Sequence, residues 1–344
     1  MIKKKLTSMH EFAKASGVSR PTLSKYFKDP TLVKGITREQ IEAALKEFNF
    51  EPNLFARHLN LKQTRNVGIV VPTMSDPFFA QIVSLIELKL QADGYWPIPA
   101  SSHRSPKYEA QAVKMLRSMK VAGAIIAPLG TATLPDAFTS LAEEVPVVSF
   151  DRPAGIEQPF VGNDNAQSVS KMVRYLCRTG EAPVYFEIPS ANENTTARQA
   201  SYEAAMRVEG LSPLIVRCDA QPSWDYERQG YEQIQKTIAN GGLPGKTLLC
   251  ANDRFAFGAI AAAFEAGYKV GCAPSCDLRI AGHDDHPLSK YMCPSLTTMA
   301  QDAEGIAAQS VEILKAGMAA KNEGLPVQSE LVLLEAKLKM RASA

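Results

Sequence analysis

From Asn66 onward the chain alternates short apolar runs with stretches in which apolar residues recur every three or four positions. The runs VGIVV, YWPIP, AGAIIA, VPVVSF, PVYFEI, PLIVR, KTLLCA and LRIAG predict strands; residues 78–93, 107–119, 166–178, 197–208, 226–239 and 253–266 predict helices. This repeated β-α order predicts an α/β fold, with doubly wound parallel sheets covered on both faces. Some eight such units exceed one small sheet, and a break near Asn163–Gln167 predicts two similar lobes with a cleft between them.

The first fifty residues carry a different pattern, that of three short helices. SMHE reads as a capping box in which Ser8 and Glu11 satisfy each other's backbone N–H, and Gly17 suits the turn that follows. Ser19 reads as the next N-cap, and Pro21 fits a first turn, where its missing N–H costs nothing. Leu23 and Phe27 face a small core with Phe12, Ala13 and Val18, which leaves Arg20, Thr22, Ser24 and Lys25 outside. TREQ from Thr37 reads as a second capping box, opening a helix with Ile41, Ala44, Leu45 and Phe48 as its apolar stripe. Two helices joined by a tight glycine turn, the second one polar, make a helix-turn-helix. Its second helix fits the major groove, where Arg20 is placed to read guanine.

Charge sharpens this. The formal net charge of +2 conceals +7 in residues 1–65 (13 Lys/Arg against 6 Asp/Glu), and 2 − 7 leaves −5 for the rest. A basic head on a mildly acidic body points to a polyanion partner for the head alone, although three-helix modules also dock on proteins. The basic N-terminus MIKKKLTSMHEF has no apolar stretch behind it, so no export signal is read, a cytoplasmic location is expected and the six cysteines are expected to be free thiols. Between head and body, NLFARHL is long enough for two helical turns. Spacing alone leaves it a plain linker; ordered against DNA and a symmetry mate, it would project Leu59 as a wedge for a minor-groove base step.

The run TSMHEFAKASGVSRPTLSKYFKD, VKGITREQIEAALKEFNFEPNLFARHL and VGIVVPTMSDPFFA resembles the lactose-repressor/galactose-repressor (LacI/GalR) family of bacterial transcription regulators, and the likeness extends over the whole body. It implies a headpiece over residues 1–51, a hinge over 52–64 and an effector-binding, dimerising domain over 65–344. That domain is expected to have a periplasmic-binding-protein-like fold, with one lobe about 65–163 and 302–328 and the other about 164–301 and 329–344. Ser19, Arg20, Pro21, Thr22, Ser24 and Lys25 then face DNA, joined by Asn53, Arg57 and Leu59 of the hinge. Arg20 and Pro21 occupy the two main base-reading positions; Pro21 departs from the usual polar residue, so reading there is apolar or indirect.

In open α/β sheets ligands sit beyond the carboxyl ends of strands. The residues found there are aromatic plates, carboxylates, amides and arginines, which suit a neutral polyhydroxyl ligand: rings stack on C–H faces and polar forks take hydroxyls. The resemblance implies that Asp76, Phe78 and Phe79 line a sugar, with Asp76 in place of the commoner Asn. Asp151, Arg152, Arg198, Trp224, Asn252, Asp284 and Gln301 match further pocket positions; Asn163, Asn194 and His283 join them by their place after strands, His283 standing where an aromatic is common. Asp164 with Asn165, and Asp253, read instead as helix caps.

No cofactor or metal is expected. Cys272 and Cys276 lack a matching second pair, GGLPGK lacks the Ser/Thr and strand context of a phosphate loop, and no G-x-S-x-G elbow occurs. The expected function is thus a homodimeric repressor that a small sugar releases from operator double-stranded DNA; Trp224, able to cover a second ring, tilts the expectation toward a disaccharide or glycoside. The alternatives are a corepressor-dependent regulator of purine type, a sugar receptor without a DNA role, and a sugar-processing enzyme.

Overall fold

The computed structural model describes residues 6, 8–50, 64–130, 135–189, 193–218 and 223–344. The hinge residues Asn53, Arg57 and Leu59 lie outside the described residues. Two compact units, residues 1–65 and 66–344, make up the chain.

The first unit contains α1 (Met9–Ser16), α2 (Arg20–Lys28), a 3-10 turn (Pro30–Leu32) and α3 (Gly35–Phe48). The Ser8–Glu11 capping box is present in both directions, at 3.3 and 3.2 Å. Gly17 closes α1 with φ +69°, a left-handed conformation for which glycine is suited. Phe12, Val18, Leu23, Tyr26 and Ile41 are buried together, with Phe12 stacked on Phe50 at 4.4 Å. The second capping box does not form: α3 begins at Gly35, two residues before Thr37, with Lys34 at the N-cap and no side-chain cap bond.

The second unit is a two-lobed α/β body. Its first sheet is six-stranded and wholly parallel. The strands are β1 (Asn66–Val71), β2 (Trp96–Ser101), β3 (Gly123–Ile126), β4 (Val147–Phe150), β5 (Phe160–Asn163) and β11 (Leu331–Leu334), in the order β11-β5-β4-β3-β1-β2. The second sheet has β7 (Ile215–Val216), β6 (Val184–Phe186), β8 (Thr247–Cys250) and β9 (Arg279–Ala281), in that order and also parallel. Helices α4 (Pro77–Ala92), α5 (Pro106–Ser118), α6 (Pro135–Glu144) and α11 (Ala303–Asn322) belong to the first lobe; α7 (Asn165–Thr179), α8 (Glu193–Val208), α9 (Tyr226–Ala239) and α10 (Asp253–Glu265) belong to the second. The antiparallel pair β10 (Thr298–Ala300) and β12 (Lys337–Lys339) completes the second lobe.

The strand runs are buried on both faces, as their continuous apolar sequence requires: β1, β3, β4 and β8 have no exposed residue. One lobe boundary differs from expectation. Residues 331–334 pair with β5 in the first sheet rather than joining the second lobe, because LVLL continues the parallel ladder and its neighbour α11 packs Ile306, Val311 and Leu314 into the first core. The chain therefore crosses between lobes three times, after β5, after β10 and after β11. Gln167 ties the first crossing to the third: its Oε1 accepts from Ala336 N at 3.1 Å, and its Nε2 donates to the Ala336 carbonyl at 3.3 Å.

Helices α9 and α10 touch backbone to backbone at Gly230 and Gly258. A methyl at Gly230 would strike the Phe255 carbonyl, and one at Gly258 the Glu227 carbonyl. Small residues here bring the N-terminal ends of both helices together beside the cleft. Gly258→Ala is expected to lose about 1–3 kcal/mol by overpacking; urea unfolding followed by circular dichroism measures it.

Candidate functional site

In the first unit, α2 buries Leu23 and Tyr26 and turns Ser19, Arg20, Pro21, Ser24 and Lys25 to solvent, with Thr22 half-buried. Ser19 caps the helix: its Oγ accepts from Thr22 N at 3.4 Å and lies 2.8 Å from Thr22 Oγ1. Five exposed residues and the half-buried Thr22 thus surround a helix with no acidic side chain in its first turn, which suits contact with a polyanion.

In the second unit, a cavity of about 140 Å³ lies between the lobes. Eleven of the thirteen expected ligand residues line it: Asp76, Phe78, Phe79, Asp151, Arg152, Asn194, Arg198, Trp224, Asn252, Asp284 and Gln301. They come from strand ends and helix N-termini, where side chains from both sheets converge. Two of them have positive φ, Asp151 at +63° and Asp284 at +117°, and so does Asp285, also in the wall, at +55°. Such geometry costs about 1–3 kcal/mol per residue and concentrates at functional sites.

Asp284 is the polar centre. Arg198 Nη2 at 3.0 Å, His283 Nδ1 at 3.0 Å and Gln301 Nε2 at 2.7 Å converge on its Oδ1, which leaves Oδ2 as the acceptor a ligand can use. Burial alone would push this carboxyl up; the Arg198 guanidinium, then the His283 ring and the Gln301 amide, bring it down to about 2. Arg198 also donates to Asn165 Oδ1 at 3.1 Å and to the Ala251 carbonyl at 2.9 Å. Asp151 is held differently. Burial raises its pKa, and the Arg152 guanidinium, 3.2 Å away, opposes the rise. Asn194 reaches across from the second lobe to donate to both the Asp151 carbonyl (3.0 Å) and its Oδ1 (2.9 Å). Arg152 is fully buried, donates through Nη1 to the Leu129 carbonyl, and has its Nη2 buried without a hydrogen-bond partner. A buried donor with no partner in a cavity wall is what a ligand would satisfy.

Trp224 packs against the cores of both lobes, and the guanidinium carbons of Arg104 and Arg152 each lie 5.6 Å from its ring centroid. Phe78 meets Phe79 edge-on at 5.2 Å, and Phe79, almost wholly buried, serves the core more than the cavity.

Two expected ligands do not line the cavity. Asn163 points its amide at Asn165 Oδ1 and Ser168 Oγ, both at 3.2 Å. His283 is buried beneath the wall, between Ser168 Oγ at 2.9 Å and Asp284. Burial and then the field of Arg198 bring its pKa down to about 4, so the ring is neutral at pH 7 and the ionised Asp284 selects the tautomer that donates from Nδ1. His283 thus supports Asp284 directly, and Asn163 bonds the Ser168 hydroxyl behind it. Two more depart from a simple ligand role. Asp76 caps α4 by accepting from Phe78 N at 3.1 Å and pairs with Arg254 at 3.1 Å. Asn252, not Asp253, caps α10, accepting from Phe255 N at 2.8 Å. Asp253 is instead buried, pushed up to about 7 by burial, and accepts from Ser289 Oγ, Thr298 Oγ1 and His286 N. Asp164 does cap α7. Tyr226, Arg254 and His286 also line the cavity; Arg254 carried a signal, since it follows the β8 strand end by the same rule that found Asn252.

Residues 64–286 match a family model described as periplasmic binding proteins and sugar binding domain of LacI family, and residues 8–53 one described as bacterial regulatory proteins, lacI family. The HTH-type transcriptional repressor PurR of Haemophilus influenzae (strain PittEE) is 27% identical over 334 residues, 95% of each chain. PurR of Histophilus somni (strain 129Pt) is 27% identical over 341 residues, covering 95% of this chain and 98% of that protein. Among solved structures, the Lac repressor dimer bound to operator and the anti-inducer ONPF aligns with a TM-score of 0.85 at 25% identity, over 99% of both chains.

The neutral His283 gives a pH signature. Its folded pKa lies below the unfolded value, so the stability it contributes is present above about 6.5 and is lost as pH falls toward 4. His283→Gln removes that loss, and relative to wild type the variant is expected to gain about 2 kcal/mol between pH 7 and pH 5. Urea unfolding at both pH values checks this.

Proposed function

The chain belongs to the LacI family of bacterial regulatory proteins and is a DNA-binding transcriptional repressor, and from that premise we propose that a small neutral sugar in the interlobe cavity releases it from its operator. The carrying observation is charge balance. Each arginine in the cavity wall already has its carboxylate: Arg152 with Asp151, Arg198 with Asp284, Arg254 with Asp76. Such a wall does not call for a charged ligand; it offers fixed donors beside fixed acceptors. A hydroxyl, donor and acceptor at once, matches both. Trp224 supplies the apolar plate, and the unpartnered Arg152 Nη2 supplies a donor. The description of the matched effector domain as sugar-binding supports the same reading.

Size narrows the class. A cavity of about 140 Å³ holds a single six-membered ring, by the yardstick that benzene fills a cavity of about 150 Å³. A monosaccharide therefore fits better than the disaccharide that Trp224 alone suggests. A second reading, a purine-type effector acting as corepressor, is favoured by the likeness to PurR repressors and by the aromatic side chains Phe78, Trp224 and Tyr226 in the wall.

Release requires a dimer, because one short recognition helix covers too little DNA for specificity and paired half-sites supply the rest. Exposed large apolar side chains offer surfaces for a second copy: Leu88, Trp96, Tyr108 and Met115 on the first lobe, and Phe264, Leu288 and Tyr291 on the second. The hinge, Asn53, Arg57 and Leu59 included, is the proposed relay, and Ser19, Arg20, Pro21, Thr22, Ser24 and Lys25 the proposed DNA face.

Calorimetry against a panel of monosaccharides, disaccharides and purine bases tests the effector class; a purine that binds while every sugar fails would replace the sugar reading. Arg20→Ala is expected to abolish protection of the operator in footprinting and leave effector affinity unchanged. Trp224→Ala and Asp284→Ala are expected to do the reverse, each lowering effector affinity at least tenfold, about 1.4 kcal/mol, while the free protein still protects the operator.

A further inference from the structure

We propose that Arg254 is a positioning residue of the effector cavity, which draws Asp76 across the cleft and holds the two lobes closed over the ligand. Arg254 stands in the first turn of α10, on the second lobe, and is fixed there from two sides. Its Nε and Nη2 form a fork with Glu227 at 2.7 and 2.6 Å, and its guanidinium lies 5.2 Å from the Tyr226 ring centroid. Three interactions thus anchor one cation to its own lobe before it reaches the other. What remains is Nη1, which donates to Asp76 Oδ2 at 3.1 Å across the cleft.

Asp76 is equally committed. Its Oδ1 caps α4 of the first lobe, so the ion pair joins the N-terminus of α4 to the N-terminus of α10 directly. Both side chains are mostly shielded from water, at 9% and 16% exposure, which keeps screening by salt small. Both oxygens of Asp76 are already bonded, one to its own helix and the other to the opposite lobe. The backbone contact of α9 with α10 at Gly230 and Gly258 places Glu227 where the fork can form. Burial works against the charge on Glu227, and the Arg254 guanidinium bonded to it holds its carboxyl below the usual carboxylate range.

This proposal rests on the cavity being the effector site, but its test needs no effector. The chain has two tryptophans, Trp96 and Trp224. Trp96 is 65% exposed on β2, whereas Trp224 packs against the cores of both lobes. In a Trp96→Phe background, acrylamide quenching therefore reports the opening of the cleft through Trp224 alone. Asp76→Asn keeps a capping oxygen and leaves Arg254 in place, and removes the charge and the acceptor oxygen that faces Arg254 Nη1. It is expected to raise the quenching constant about two- to fivefold, as the loss of a charge-assisted bond shifts the open–closed equilibrium about tenfold. Arg254→Met gives the same rise, and the double variant gives no more than either single one, because the two changes break one bond. Unchanged quenching in Asp76→Asn overturns the proposal, whatever Arg254→Met does, since a rise in the latter alone would come from the lost Glu227 fork and Tyr226 contact and not from the bond across the cleft. Additive effects in the double variant overturn it as well. A failure to bind any sugar or purine would count against the effector reading and leave these outcomes unaffected.

Discussion

A guanidinium and a carboxylate buried together hold each other charged, and the cleft is organised around that constraint. Arg198 is 7% exposed, and a buried charge without a partner costs several kcal/mol. Asp284 without Arg198 would be driven toward its neutral form by burial. As a pair they persist, and the remaining valences of each select what surrounds them. Arg198 takes Asn165 at the start of α7 and the Ala251 carbonyl just beyond β8; Asp284 takes Gln301, just beyond β10. Asn165 follows the first passage between lobes, and Gln301 begins the second. One ion pair is thus bonded to two of the three segments on which the lobes turn, so a ligand that engages Asp284 acts on the segments that set the lobe arrangement.

Much of this was legible in the sequence because strand ends and cap residues have local signatures. Of the thirteen ligand candidates, drawn from strand-end positions and the family resemblance together, eleven line the cavity. The two exceptions share a cause. Asn163 ends β5 and His283 follows β9, but side chains alternate across the sheet edge, and these two turn away from the cavity toward Ser168, whose hydroxyl oxygen accepts from Asn163 and lies 2.9 Å from His283 Nε2. Spacing does not reveal which side of the loop a residue faces. The roles of Asp76 and Arg254 were hidden for another reason: 178 positions separate them, and only the closed fold brings the charges together. The same holds for LVLL at 331–334, whose assignment to a lobe depends on a strand formed much earlier in the chain. TREQ is a local failure. The capping pattern is present, but Gly35 and Ile36 are already helical, so Thr37 stands inside the first turn and not at its edge.

The headpiece illustrates how little apolar surface the fold spends on DNA recognition. Its core is small, with Phe12, Leu23 and Ile41 at its centre and the Phe12–Phe50 stack closing one side. A module of this size is stable enough to present one helix and too small to hold a long DNA site by itself. In the proposed dimer, specific binding depends on two heads acting together, and a change in the bodies that disturbs their pairing is felt as a loss of the joint affinity, not of one contact.

The energies involved make this coupling attainable with few interactions. Allosteric couplings between sites amount to about 1–3 kcal/mol, a change of about 5- to 150-fold in affinity. A hydrogen bond to a charged group contributes about 1.5–3 kcal/mol net. The cleft contains three such carboxylate–guanidinium pairs, at Asp151, Asp284 and Asp76; Asp76 meets its arginine across the lobes, and Asp151 also takes Asn194 from the second lobe. A ligand that strengthens or breaks one of them in only one lobe arrangement already supplies the whole coupling. Whether it induces or corepresses follows from which arrangement gains the bond, because a ligand can shift the equilibrium only by its difference in affinity for the two states.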